Sequence, residues 1–298
     1  MATKSAFIAI IGKPNVGKSS ILNRLTGSKI AIVSSKPQTT RTKIMGVRTD
    51  GDIQLVFTDT PGFHNAHNKL GEKMNEAVGD SIGGVDACLF VTEPRGELNE
   101  KENELLSMLK KQRMPAILVI NKIDMLGDKA ELLERIKYLA DKFDFEAVVP
   151  CSAQTGEGMK DLMDEMNKLA YDSPHFFPDD TLTDQPERVL AAEMIREKIL
   201  RLMDKEVPHG IAVAIEKMKE RPDGTIMDVD ATIYCERESH KGMVIGKGGE
   251  MLKKISTYAR QDMERFFGIK VNLHTWVKVK EDWRNREGLI HNFGLDNR

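Results

Sequence analysis

The chain has 298 residues, with 44 Lys and Arg against 46 Asp and Glu and a net charge of −2. That length predicts two domains, each able to bury a core without disulfide or metal support. The near-zero balance excludes a global basic field, so any nucleic-acid site has to be local.

Cys88, Cys151 and Cys235 are widely spaced in apolar or strand-like stretches, which argues for buried thiols in a reducing compartment rather than a disulfide frame or zinc centre. The N-terminal apolar run is shorter than a signal peptide and no stretch reaches the length of a membrane span, so a cytoplasmic protein is expected.

In chain order, Phe7, Ile8, Ile10 and Ile11 predict a buried strand, and Ile21, Leu22 and Leu25 predict a helix. Between them Gly12 to Ser19 fits G-x-x-x-x-G-K-[ST]. Glycines in that order let backbone N–H groups turn inward onto phosphate oxygens, Lys18 adds a positive charge, and Ser19 offers a hydroxyl to Mg2+. Gly12, Asn15, Val16, Gly17, Lys18, Ser19 and Ser20 are accordingly the candidate phosphate contacts.

Residues 31–44 are polar and aperiodic, either a plain surface loop or a segment that orders when something binds it. In the second case Thr40 completes an Mg2+ shell. A strand at 53–57 ends in Asp59-Thr60-Pro61-Gly62, where a carboxylate suits a metal-linked acid and the Gly62 N–H suits the γ-phosphate. The loop 63–73 carries His64, for which plain solvation competes with a role in proton transfer.

A strand at 87–91 and an amphipathic helix at 100–111 lead to a strand at 116–120 that ends in Asn121-Lys122-Ile123-Asp124. An aspartate carboxylate accepts from both N1–H and the N2 amino group of guanine, and adenine offers no such pair, so a pocket built around Asp124 selects guanine. A helix at 131–143 and a strand at 146–149 precede Cys151-Ser152-Ala153, and Gly156 and Gly158 open a last helix. Alternating strands and helices with polar motifs at strand ends describe an α/β domain built on a doubly wound, mostly parallel sheet.

This ordered set of motifs resembles the five nucleotide motifs of a Ras-like, translation-factor-class P-loop GTPase over residues 1–172. The resemblance implies GTP and GDP as ligands, Lys18 on the phosphates, Ser19 and Thr40 on Mg2+, and Asp59 acting through a metal-bound water. It also implies that Asn121, Lys122, Asp124, Ser152 and Ala153 hold the base. Phe63 stands where Ras-like proteins carry a water-orienting glutamine, so slow intrinsic hydrolysis is expected. Similar bacterial GTPases bind K+ through an asparagine at the Asn15 position, which adds Asn15 to Lys18, Thr40, Asp59 and Gly62 as the catalytic candidates.

Residues 173–186 read as a linker, rich in proline and acids and without periodicity. From Glu187 the pattern runs helix, strand, strand, helix, Gly246-Lys247-Gly248-Gly249, helix, strand. That order resembles a smaller α+β type II KH domain over 187–298 with a C-terminal tail. The G-x-x-G loop of such domains clamps single-stranded RNA. Between Arg237 and Lys278 nine basic residues face four acidic ones, making Gly246, Lys247, Gly248, Gly249, Lys253 and Lys254 the candidate RNA contacts.

One GTPase domain followed by one type II KH domain closely resembles the Era family of bacterial GTPases over nearly the whole chain. The resemblance implies a GTP-hydrolysing switch that binds the 3′ end of 16S rRNA and assists assembly of the 30S subunit. It further implies peripheral association with the inner membrane, and no obligate protein partner is inferred. Two other readings stay open on the residues: a membrane-linked signalling GTPase whose second domain binds protein, and an RNA-binding module with a relic nucleotide pocket.

Overall fold

The structure, a computed structural model, describes residues 2–36, 38–62, 68–203 and 210–295. The chain divides into two compact units. The second begins at Gln185, and two short stretches of the earlier chain group with it.

The first unit is built on strands β1 (Lys4–Ile11), β2 (Ile44–Asp50), β3 (Ile53–Asp59), β4 (Ala87–Thr92), β5 (Ala116–Ile120), β6 (Ala147–Pro150) and β7 (Tyr171–Asp172). Their order is β2-β3-β1-β4-β5-β6, with β7 beside the start of β1. β1, β3, β4, β5 and β6 run parallel, while β2 and β7 are antiparallel to their neighbours. β4 and β5 are apolar at nearly every position and buried throughout, as a sheet covered on both faces requires.

Helices α1 (Lys18–Thr26), α2 (Lys69–Ile82), α3 (Glu100–Gln112), α4 (Lys129–Ala140) and α5 (Met159–Asn167) complete the unit. Leu105, Leu106 and Leu109 of α3 join Phe90, Leu118 and Ile120 of the sheet in one core, and a capping box between Asn99 and Glu102 starts that helix. From β1 the chain goes out through β3 on one side and then crosses to β4, β5 and β6 on the other. That reversal opens a crevice at the carboxyl ends of the strands, where ligands of such sheets bind.

Two stretches differ from the reading by composition. The segment 63–73 ends in helix, α2 starting at Lys69 and burying Leu70, Met74, Ala77, Val78 and Ile82. Of residues 173–186, read as linker, the part from 173 to 183 is bonded along the first unit. Ser5 donates to the Pro174 carbonyl, Gln54 bonds the backbone of Phe176 and Phe177, and the Val47 N–H donates to Leu182. Phe176 meets Phe7 edge to face. Prolines and acids remove periodicity without preventing a chain from satisfying its backbone groups on a neighbour.

The second unit contains α6 (Glu187–Leu202), β8 (Ile211–Glu220), β9 (Ile226–Cys235), α7 (Glu238–Ile245), α8 (Glu250–Phe267) and β10 (Lys270–Val279). β9 is central, antiparallel to β8 and parallel to β10. One face of the sheet packs on the helices through Val229, Ala231, Ile233, Ile195, Ile199, Ile255 and Ala259. Thr232, which alternates onto the opposite face of β9 from Val229, Ala231 and Ile233, is buried as well.

Beyond β10 a turn at Trp283–Asn285 and a short helix α9 (Glu287–Asn292) fold back. Trp283 is fully buried and donates from Nε1 to the Gly210 carbonyl at 3.0 Å. All three cysteines are buried free thiols, and burial pushes each up to about 12.

Candidate nucleotide site and KH loop

The phosphate loop follows β1 directly. Gly12 and Gly17 have φ of 148° and 101°, a region L side chains rarely adopt. A Cβ on Gly12 would lie 2.3 Å from the Val91 carbonyl oxygen, and one on Gly17 would lie 2.2 Å from Asn121 Nδ2. Both positions therefore require glycine for conformation and for space. Asn15 also has positive φ, 67°, an arrangement asparagine tolerates better than most residues. Val16 is fully buried, and Ser20 stands in the first turn of α1.

Lys18 is buried and donates from Nζ to the carbonyls of Gly12 (3.2 Å) and Lys13 (3.1 Å). Burial pulls its ammonium down to about 8, partly countered by the nearby Asp59 charge. A buried cation facing the turn of a glycine loop is matched to an anionic ligand, whose charge would offset that desolvation.

Ser19, Thr40 and Asp59 converge. Ser19 Oγ donates to Asp59 Oδ2 at 2.5 Å and lies 2.8 Å from Thr40 Oγ1, and Thr40 Oγ1 is 3.4 Å from the same carboxylate oxygen. Burial drives the Asp59 carboxyl up to about 6, opposed by Lys18 and the two hydroxyls. The other carboxylate oxygen, Oδ1, is buried without a hydrogen-bond partner among the described residues. Two hydroxyls and a carboxylate with an unsatisfied oxygen form the hard donor set that Mg2+ takes.

After β3, Thr60 donates to the Ile10 carbonyl at 2.9 Å. A Cβ on Gly62 would come within 2.7 Å of Pro14, so Gly62 lets the third strand's loop approach the phosphate loop. Phe63 and His64 lie outside the described residues.

On the base side, Asn121 is buried between two loops. Its Nδ2 donates to the Val16 carbonyl at 2.8 Å, and its Oδ1 accepts from the Ala153 N–H at 3.0 Å. Lys122, at φ 66°, reaches back to the Asn15 carbonyl at 2.6 Å. Asp124 is exposed in the 3₁₀ turn Ile123–Met125. Ser152 is buried and its hydroxyl accepts from the Thr155 N–H at 3.1 Å, which shapes the loop presenting Ala153.

Two residues outside the motifs complete the frame. Arg24 of α1 donates to the carbonyls of Ala153 (2.8 Å) and Gln154 (2.7 Å), and Glu93, just past β4, pairs with Lys122 at 2.7 Å and Lys13 at 3.1 Å. The only mark of Glu93 in the sequence is an acid at a strand's carboxyl end, the place every motif occupies. Arg24 carries no local signal, because its partners are 129 and 130 residues away.

In the second unit α7 ends at Gly246, where φ is 72° and a Cβ would lie 2.7 Å from that of Met251. Gly248 and Gly249 also have positive φ, and Gly249 caps α8. Lys247, Lys253 and Lys254 are exposed. Three of the other six cations of the basic stretch are spent: Lys241 pairs with Glu238, Arg260 with Glu264 and Arg265 with Asp262. Lys247, Lys253 and Lys254 form no ion pair among the described residues and put exposed positive charge at the loop and the N-terminal half of α8; Arg237, Lys270 and Lys278 are exposed elsewhere on the unit.

Comparison with known proteins agrees with this division. Residues 7–122 match a family described as 50S ribosome-binding GTPase, and residues 206–284 match the KH domain family. The chain is 48% identical over 295 residues to GTPase Era of Clostridioides difficile, covering 99% of each. The chain belongs to the Era family of GTPases.

Era of Clostridium kluyveri is 47% identical over 291 residues, with 98% of this chain and 99% of that protein covered. Two solved Era structures superpose with TM-scores of 0.95 at 37% identity, each covering 99% of this chain. One is an Aquifex aeolicus Era variant bound to GDP·AlF4−, covered over its full length. The other, covered to 99%, is Era in complex with MgGDPNP and nucleotides 1506–1542 of 16S ribosomal RNA.

Proposed function

We infer that this chain is a Mg2+-dependent GTPase that binds 16S rRNA near its 3′ end through the KH loop and assists assembly of the small ribosomal subunit. The observation that carries the reading is Asn121, whose amide joins the phosphate loop at Val16 to the base loop at Ala153. A relic pocket would have no need of that brace, nor of a buried Lys18. Support for the RNA partner comes from the unpaired lysines at the KH loop and from the 16S fragment held by the related Era.

In this reading the loop amides and Lys18 hold the β- and γ-phosphates, and the Gly62 N–H meets the γ-phosphate. Asp124 accepts from guanine, while Asn121, Lys122 and Ala153 fix its plane. Ser19 and Thr40 would hold Mg2+ directly and Asp59 through a water. The ion, when bound, neutralises charge on the transferred phosphoryl group. With Phe63 in the glutamine position no side chain there orients water, so unaided turnover is slow, and Asn15 would hold a K+ ion that could supply the missing charge. We place the protein in the cytoplasm, with inner-membrane contact only at its surface. No helix among the described residues is long and apolar enough to cross a membrane.

The test is GTP turnover by wild type and Lys18→Ala, with K+ or Na+ as the monovalent cation, alongside crosslinking to total RNA in GTP. Turnover lost in Lys18→Ala, faster in K+, and crosslinks mapping to the 16S 3′ end are expected. Equal turnover in the two proteins would refute the enzyme assignment, and crosslinks elsewhere would refute the RNA assignment.

A further inference from the structure

β4 lies between β1, which feeds the phosphate loop, and β5, which feeds the base loop. A residue leaving its carboxyl end therefore emerges between the two halves of the nucleotide site, and that residue is Glu93. Its backbone is held from below: Arg135, buried, donates from Nε to the Glu93 carbonyl at 3.1 Å, from Nη2 to Thr92 Oγ1 at 2.9 Å, and from Nη1 to the Gly96 carbonyl. Both carboxylate oxygens are used, Oε1 by Lys122 at 2.7 Å and Oε2 by Lys13 at 3.1 Å. Lys13 belongs to the phosphate loop and Lys122 to the base loop. Lys122 has a second bond to the Asn15 carbonyl, so without Glu93 two ammonium groups would converge on that junction with no anion between them.

We propose that Glu93 is a positioning residue, a carboxylate tie that sets the separation of the phosphate loop from the guanine loop and thereby how long a guanine nucleotide stays bound. The inference rests on reading the site as a guanine-nucleotide pocket. A solitary exposed ion pair contributes little, because its side chains must be ordered against solvent and salt. Here one carboxylate, on a backbone already fixed by a buried arginine, serves two cations on two ligand-holding loops. Lengthening that separation weakens every nucleotide that spans the loops, so GDP and GTP are affected alike and the loss falls on KM rather than kcat.

The experiment is stopped-flow dissociation of fluorescent mant-GDP and mant-GTP from the full-length protein. Variants are Glu93→Gln, Lys13→Gln, the double variant and Glu93→Asp, each with a thermal melt of the nucleotide-free form. Glu93→Gln is expected to release both nucleotides about 10-fold faster, a loss of the size seen when a charged hydrogen-bonding partner is removed. Lys13→Gln should add nothing to it, because coupled sites do not add, and Glu93→Asp should fall between.

Dissociation within twofold of wild type in Glu93→Gln, or full additivity with Lys13→Gln, overturns the proposal. So does a fall in the melting temperature that accounts for the whole loss, since that would make Glu93 structural only. Wild-type protein that binds no mant-GDP would overturn the nucleotide reading together with this one. Normal wild-type binding with a silent Glu93→Gln overturns the role of Glu93 alone.

Discussion

The side-chain amide of Asn121 donates to the carbonyl of Val16 at 2.8 Å across 105 residues of sequence. With its other end on the Ala153 N–H, it holds three loops from three strands in one frame.

Replacing Asn121 by Ala leaves a buried carbonyl and a buried N–H without their partners, each at a cost of about 1–3 kcal/mol. GDP and GTP affinities should both fall about 100-fold at the lower half of that range. Fluorescence titration with mant-GDP checks this, and an affinity within threefold of wild type would contradict the brace.

Mg2+ binding should weaken as pH falls through about 6. Asp59 is raised to about 6 by burial, and the ion requires the carboxylate, so proton and metal compete. At one unit below that value the apparent Mg2+ affinity should be down about tenfold. The sign for stability is opposite: with the folded carboxyl above its unfolded value, the nucleotide-free protein loses stability from this group as pH rises through that window. Titration calorimetry from pH 5 to 7.5 measures the first effect, and a flat profile, or Asp59→Asn showing the same slope, would exclude Asp59 as the titrating group.

Each of Lys247→Ala, Lys253→Ala and Lys254→Ala should lower the slope of log affinity against log salt for single-stranded RNA by about 0.7, one released counterion apiece. Arg265→Gln should leave the slope unchanged, because Arg265 is already paired with Asp262. Equal effects from Arg265 and Lys247 would move the RNA surface away from the KH loop.

Trp283→Ala should destabilise the second unit by about 3–5 kcal/mol, the usual loss for a buried aromatic, and deprives the Gly210 carbonyl of its donor. Urea unfolding followed by circular dichroism should show an earlier transition with RNA binding lost. A transition at the wild-type urea concentration would show that the C-terminal segment does not brace the sheet.

The nucleotide motifs and the G-x-x-G loop were legible in sequence because each depends on a local backbone conformation at a strand end or between helices. Gly12, Gly17 and Gly246 stand where positive φ and close approach leave no other choice. Strand assignments were legible for a similar reason, since β4 and β5 are apolar runs that only a doubly covered sheet can hide. Local periodicity says nothing, however, about which strands become neighbours. The order β2-β3-β1-β4-β5-β6 alone brings Arg24 to Ala153 and Glu93 to both Lys13 and Lys122, and it alone lays residues 173–183 along the first unit. The same holds for charge: the sequence counts nine bases against four acids, but only ion pairing through space decides that Lys241, Arg260 and Arg265 are spent while Lys247, Lys253 and Lys254 keep their charge at the loop. Residue types at short spacing were written in the chain, whereas contacts between distant residues exist only once sheet order has closed the intervening loops.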